Sequence, residues 1–325
     1  MSNIKYFIGP MSKNIVDAII KFCNTTNYNV GLIPSRRQIE HNGGYVNNWT
    51  TKNFSEYISR KTEKITLKRD HSGPNQGSLV DDGIVSLIHD CKYLEYIHID
   101  PWKKYSDLEE GINSTISLIK MCYALNPSIK FEIGTEQAIR YFNIEELETL
   151  ILTLKKELHL DEYKAIKYLV IQSGTSLKGT NQTGQYDKNR LIEMVKLAKK
   201  YGFLSKEHNG DYIPVSIIKE KFNLGLDSIN IAPEFGLIET QTYLDEIKDE
   251  KILEKYFQIC YNSKKWEKWV DKDFDPFNNK VELIKICGHY VLSNSDFLTN
   301  IKSTLPGIDK KIKENIIKKL NELYG

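Results

Sequence analysis

Eight short apolar runs, each followed by a segment of helical period, fill about the first 245 residues of this 325-residue chain, and few folds accept such a pattern. The runs are Tyr6 to Ile8, Val30 to Ile33, Ile65 to Lys68, Tyr96 to Ile99, Ile129 to Ile133, Tyr168 to Ile171, Gly202 to Lys206 and Ser228 to Ile231. Between them the spacing of apolar residues predicts helices at Lys13 to Cys23, Thr51 to Arg60, Asp81 to Asp90, Asp107 to Leu125, Ile144 to Leu158, Lys188 to Tyr201 and Ile213 to Phe222. The last unit closes with a helix from about Pro233 through Tyr243. Strands that alternate with helices pair in parallel, because each crossover carries the chain back to the same end of the sheet. An open doubly wound sheet generally uses fewer strands, so eight units at this length predict a closed TIM (β/α)8 barrel over residues 1–243.

Residues 244–325 lack the alternation. They hold a helical run rich in Lys and Trp (Tyr261 to Val270), a Pro-containing loop, a second helix near Lys280 to Val291 and a final Lys-rich amphipathic helix. This predicts a helical C-terminal extension packed on the barrel or on a second subunit. Its basic run from Lys310 to Lys319 is spaced at helical intervals with Ile and Leu between, the mark of a solvated helix face.

Composition excludes several function classes. Forty-five basic residues against 43 acidic ones leave a formal charge of +2, so nothing points to nucleic acid. The five cysteines form no CxxC pair, which argues against a disulfide framework or a thiolate zinc site and suits a reducing cytoplasm. The N-terminus begins with a strand-like run, and no apolar stretch approaches the length of a membrane span, so neither a signal peptide nor a membrane is expected.

In such a barrel the functional groups should lie just after the strands, at the C-terminal rim. Polar residues gather there. After the third strand comes Asp70-His71 at the head of a Gly/Pro turn; the fourth ends in His98 and Asp100, the fifth in Glu132 with Glu136 beyond, the sixth in Gln172 and Ser173, the seventh in Glu207 and His208, the eighth in Asn230. Imidazoles and carboxylates converging from different strands suit a divalent metal such as zinc or manganese. His71 and His208 are the expected ligands, Glu132 the third, with Gln172 placed for another; the alternative is that both histidines merely hydrogen-bond in the barrel mouth. His98 shares a strand face with Asp100, and either the core or the site could own both. Asp70 and Asp100 are candidate proton shuttles and Glu136 a further one, against its reading as a helix N-terminal charge. Ser173, Gly174, Asn209 and Gly210 lie on short loops of the kind that cradle phosphate, and Arg36 or Arg37, in the long second loop with Gln38, Gly43 and Gly44, offers fixed charge for a second anionic group.

The motifs DHSGP, IHID, EIGTE, VIQSG, KEHNGDY and the GGY of the second loop, in this order, resemble the non-catalytic subunit of class II D-tagatose-bisphosphate aldolase over nearly the whole chain, with NSKKWEKW and NNKVELIKICGHYV continuing the likeness into the extension. More distantly the layout is similar to class II fructose-bisphosphate aldolases. The resemblance implies Asp70 as catalytic acid/base, His71 and His208 as metal ligands, Glu132 as auxiliary ligand and Asn230 as a substrate-binding residue. It also implies an aldolase catalytic subunit or a second copy of this chain as partner. Two departures stand out: Gln172-Ser173 replaces a metal-binding histidine after strand six, and Ala232-Pro233 replaces a phosphate-binding Asp-Thr pair. These imply altered metal binding and a substrate with fewer phosphates. The expected function is therefore a metal-dependent ketose-phosphate enzyme working at C3–C4, a C4 epimerase first, with class II aldolase or a stabilising subunit as alternatives.

Overall fold

The computed structural model describes residues 4–325 and contains a closed barrel of eight parallel strands ringed by helices. In chain order the strands are β1 (Tyr6–Ile8), β2 (Val30–Leu32), β3 (Ile65–Ser72), β4 (Tyr96–Ile99), β5 (Lys130–Ile133), β6 (Ile166–Ile171), β7 (Leu177–Lys178), β8 (Asn181–Gln182), β9 (Leu204–Glu207) and β10 (Ser228–Ile231). β7 and β8 form a two-residue hairpin outside the barrel, in the loop after β6; the others pair in sequence, and β10 closes against β1.

Strand alternation sorts the side chains into two cores. Outward residues such as Ile97, Ile99, Phe131 and Ile133 pack under the helices in one large cluster, which also takes in Phe257, Ile284 and Ile312 of the C-terminal helices. Inward residues build a small aromatic floor of Phe7, Ile33 and Tyr168. Phe7 can lie across the barrel because its neighbour in register is Gly31, where a Cβ would stand 2.0 Å from the Phe7 ring.

Five expected bounds need correction. β3 continues past Lys68 to Ser72, and the next helix starts at Ile84 rather than Asp81, whose carboxylate instead pairs with Arg36. The regular helix in the extension is Glu250–Asn262, followed by a turn and a short 3-10 segment at Glu267–Trp269, so the expected run at Tyr261 to Val270 is mostly loop. The helix from Lys280 stops at Cys287 and gives way to a 3-10 turn, Gly288–Tyr290. The eighth barrel helix runs Pro233–Glu246, so residue 243 lies within its last turn.

The final helix, Ile308–Tyr324, lies against the helices Lys13–Thr25 and Pro233–Glu246. Its Ile312, Ile316 and Leu320 are fully buried, each contributing about 1.5–3 kcal/mol. No helix of the described residues is long and apolar enough to cross a membrane.

Candidate active site

The site begins with an interruption in β3. Regular alternation points Lys68 and Asp70 into the barrel and Arg69 outward, where it is buried in a two-pronged pair with Asp90 (2.9 and 2.6 Å) and donates to the Pro34 and Ile39 carbonyls. His71 should then face away from Asp70. Instead the register against β4 shifts between Arg69 and Ser72, and His71 takes a left-handed backbone with φ +47°. Such a bulge re-aims one side chain and brings both neighbours to the barrel mouth. The conformation costs a non-glycine residue about 1–2 kcal/mol, strain of the kind that clusters at functional sites.

Around Asp70 three imidazoles converge. His71 Nε2 lies 3.7 Å from one Asp70 oxygen, while His98 Nδ1 and His208 Nδ1 lie 3.8 and 3.9 Å from the other. One ring nitrogen from each histidine falls within 4.8 Å of the others. The opposite nitrogen of every ring is anchored: His71 Nδ1 on Asp100 at 2.6 Å, His98 Nε2 on the Gly134 carbonyl at 2.9 Å, His208 Nε2 on Glu132 at 2.7 Å. A metal-binding histidine characteristically holds its second nitrogen this way, which fixes ring and tautomer. Three imidazoles so anchored could hold a divalent cation, and the donor set fits zinc or a neighbouring first-row metal.

The electrostatics favour a neutral ring at two of the three histidines. Burial outweighs the pull of Asp70 and brings His98 and His208 down to about 4 and about 3, while the His98 Nδ1 lone pair accepts from the His71 N–H at 3.2 Å. Burial also opposes charge on His71, yet Asp70, Asp100 and Glu136 outweigh it and push this ring up to about 10. Burial alone would raise Asp70, but the imidazoles around it hold its carboxyl well below the usual range. Glu136 reaches the same space from the loop after β5, 3.8 Å from His71 Nε2 and 3.9 Å from His208 Nδ1. The segment after it is a turn rather than a helix, so the helix-charge reading of Glu136 lapses.

Beneath the histidines lies a layer that sequence reasoning missed. Lys68 and Lys206, both fully buried, meet the Glu132 oxygen that does not face His208. Their ammonium groups sit over the Phe7 and Tyr168 rings, 3.8 Å from Phe7 for Lys206 and 4.1 Å from Tyr168 for Lys68. Burial drives both lysines below their ordinary value. Glu132, expected as a ligand, thus has one oxygen on an imidazole and the other on two lysine nitrogens.

Other expected residues lie elsewhere or are already engaged. Asp100 is fully buried behind His71 and also accepts from Thr135 Oγ1 at 3.1 Å, a poor position for a proton shuttle. Gln172 donates to the Thr135 and Arg140 carbonyls, both at 2.8 Å, and accepts from the Phe142 N–H, so its amide is turned into the neighbouring loop rather than toward the histidines. Ser173 gives its N–H and its hydroxyl to Glu207, itself paired with Lys221 at 2.5 Å, so Ser173 keeps no donor for a phosphate. Gly174 packs against the Gln185 carbonyl, and Gly210 packs against Ile229 and donates its N–H to the Asn230 carbonyl. Asn209 has a left-handed backbone and its carbonyl accepts from Gln182. Asn230 donates to Asp70 at 3.3 Å, with its own oxygen unpartnered.

In the second loop, Arg36 is neutralised by Glu40 and Asp81, and Gln38 is held by the Ser35 N–H and Met11. Neither is free for a substrate. Arg37, Gly43 and Gly44 line a cavity beside the mouth. His98 was the decisive residue left undecided by sequence, although a signal existed. Ile97 and Ile99 alternate with His98 and Asp100, and only the apolar pair suits the helix-covered face.

No family model and no curated protein matches the chain. Solved structures do. A probable tagatose 6 phosphate kinase from Sinorhizobium meliloti 1021 superposes with a TM-score of 0.76 at 14% identity, covering 99% of both chains. The fructuronate-tagaturonate epimerase UxaE from Cohnella laeviribosi gives 0.64 at 10% identity, over 99% of this chain and 81% of that one. The YdjI aldolase from Escherichia coli K12 gives 0.59 at 13% identity, over 99% and 91%. At such identities the likeness establishes the fold alone.

Proposed function

We propose that this protein is a divalent-metal-dependent enzyme that breaks and remakes the C3–C4 bond of a ketose phosphate, with inversion at C4 as the net outcome. The observation that carries the reading is the trio His71, His98 and His208, each anchored from behind, with Asp70 in their midst. Similarity to proteins described as aldolases and an epimerase supports the same class of chemistry.

The three histidines would hold the cation, with Asp100 and Glu132 as the carboxylates that orient His71 and His208. When bound, the cation supplies positive charge where negative charge develops on neighbouring substrate oxygens. Asp70 takes the proton from the C4 hydroxyl as the C3–C4 bond breaks, its electron pair passing to C3 and the C2 carbonyl, and a carbonyl forms at C4. Asn230 fixes Asp70 for this transfer, and Glu136 is the second carboxylate within reach of the same space. If the aldehyde turns before the bond reforms, Asp70 returns its proton to an inverted C4. If the aldehyde leaves, the outcome is aldol cleavage. A fragment held beside the reacting groups favours return over escape.

Incubation with a divalent metal and fructose 6-phosphate should yield the C4 epimer by carbon NMR without accumulation of triose. Accumulating triose phosphate would make the protein an aldolase. No conversion of any ketose phosphate, with metal bound, would leave the stabilising-subunit reading.

A further inference from the structure

The histidine cluster accounts for the reacting carbons of a substrate but not for a phosphoryl group, because Ser173, expected to help cradle one, spends both its donors on Glu207. A different part of the rim has what that loop lacks. Between the second barrel loop and the C-terminal helices lies a cavity of about 620 Å³, walled by Arg37, Gly44 and Tyr45 on the barrel side and by Lys265, Lys268 and Tyr290 from the extension. That volume is within the range of small-molecule sites and exceeds what a lone phosphate fills.

The charges in this cavity are unevenly matched. Its two carboxylates, Glu40 and Asp81, are both engaged by Arg36. Arg37, Lys265 and Lys268 have no carboxylate within ion-pair distance among the described residues, and Arg37 donates only to the Gly77 carbonyl, at 3.3 Å. Desolvation first, then the charges of Arg37 and Lys265, bring the Lys268 ammonium down to about 8. Like charges held close without a counter-charge are destabilising, and an anion between them reverses the sign.

One wall of the cavity connects through the chain to the residues behind His71. Gly77 forms part of its wall, and the preceding residue, Gln76, donates to the Asp100 carbonyl at 3.0 Å. Tyr45 and Tyr290 meet edge to face with centroids 5.0 Å apart, which ties the extension's 3-10 turn to the barrel loop.

We propose that Arg37, Lys265 and Lys268 form the phosphoryl subsite for the substrate whose carbons react at the histidine cluster, an assignment that rests on the ketose-phosphate reading. The extension is then part of the active site: residues from two distant stretches of chain must come together before a phosphorylated substrate can be held.

Calorimetric titration of inorganic phosphate into the full-length, metal-loaded protein tests this directly. Arg37→Gln and Lys268→Gln should each weaken phosphate binding at least tenfold, with bound metal unchanged, and should raise KM for the ketose phosphate more than they lower kcat. His71→Ala, which perturbs the reaction centre, should leave phosphate affinity at the cavity intact. Equal phosphate affinity in wild type and both variants, or no saturable binding, would overturn the subsite. The two readings fail separately. Phosphate binding that responds as expected, without turnover of any ketose phosphate, keeps the subsite and removes the chemistry; turnover with KM unmoved in both variants does the reverse.

Discussion

The barrel mouth has two flanks that look alike in sequence and behave oppositely in structure. On one, β3, β4, β5 and β9 send Asp70, His71, His98, Glu132 and His208 toward a single point. On the other, the loop after β6 offers Gln172, Ser173 and Gly174, equally polar and equally close to a strand end, yet their donors and acceptors close on Arg140, Thr135 and Glu207. The difference lies in where the partner comes from. The three histidines of the first flank are anchored from behind and turn their other ring nitrogen toward Asp70, whereas the side chains of the second find their partners within the wall.

That contrast separates activity from stability. Asp70→Asn should retain metal and fold while lowering kcat by about 10²–10⁴-fold, because an amide cannot accept the hydroxyl proton. A variant with normal turnover would remove Asp70 from the reaction. Lys221→Met on the other flank should do the opposite: it leaves Glu207 buried and unpaired, a loss of about 3–5 kcal/mol read from urea unfolding, with metal content per folded molecule unchanged. Metal loss at constant stability would show that this flank belongs to the site after all.

A buried carboxylate outside both flanks gives a control. Burial raises Glu239 to about 7, with Ser12 and Asn14 working against the rise. The folded state therefore prefers the protonated form; the stability this confers is full below the unfolded value near pH 4.5 and is lost as pH climbs through about 7. Glu239→Gln should reduce the fall in unfolding free energy between pH 5 and pH 8, read from urea titrations, by on the order of 2–3 kcal/mol while leaving activity alone. A slope that persists in the variant would place its source elsewhere. Smaller again is Gln172→Ala, expected to lower stability by about 1–3 kcal/mol through the carbonyls it orphans.

Much of this was legible in the sequence, for identifiable reasons. β1, β4 and β10 sit where their apolar runs predict, since a strand covered on its outer face must be apolar there. The helix Glu250–Asn262 was legible too and passed over: Ile252, Tyr256 and Cys260 repeat at helical spacing. What local pattern could not reveal was pairing across distant strands. Nothing near Ser173 indicates that Glu207 and Lys221 will take its hydrogen bonds, and nothing near Glu132 announces Lys68 and Lys206. The bulge at His71 was hidden for the same reason, because its signal is a register shift against β4.

The central claim is that His98, not a residue of the β6 loop, completes the metal site. Metal content of purified, folded protein, measured by plasma emission spectrometry for His71→Ala, His98→Ala, His208→Ala and Gln172→Ala, tests it most directly. The three histidine variants should each lose bound metal to a similar extent, while Gln172→Ala keeps wild-type stoichiometry. Retention of metal by His98→Ala together with its loss from Gln172→Ala would contradict the account.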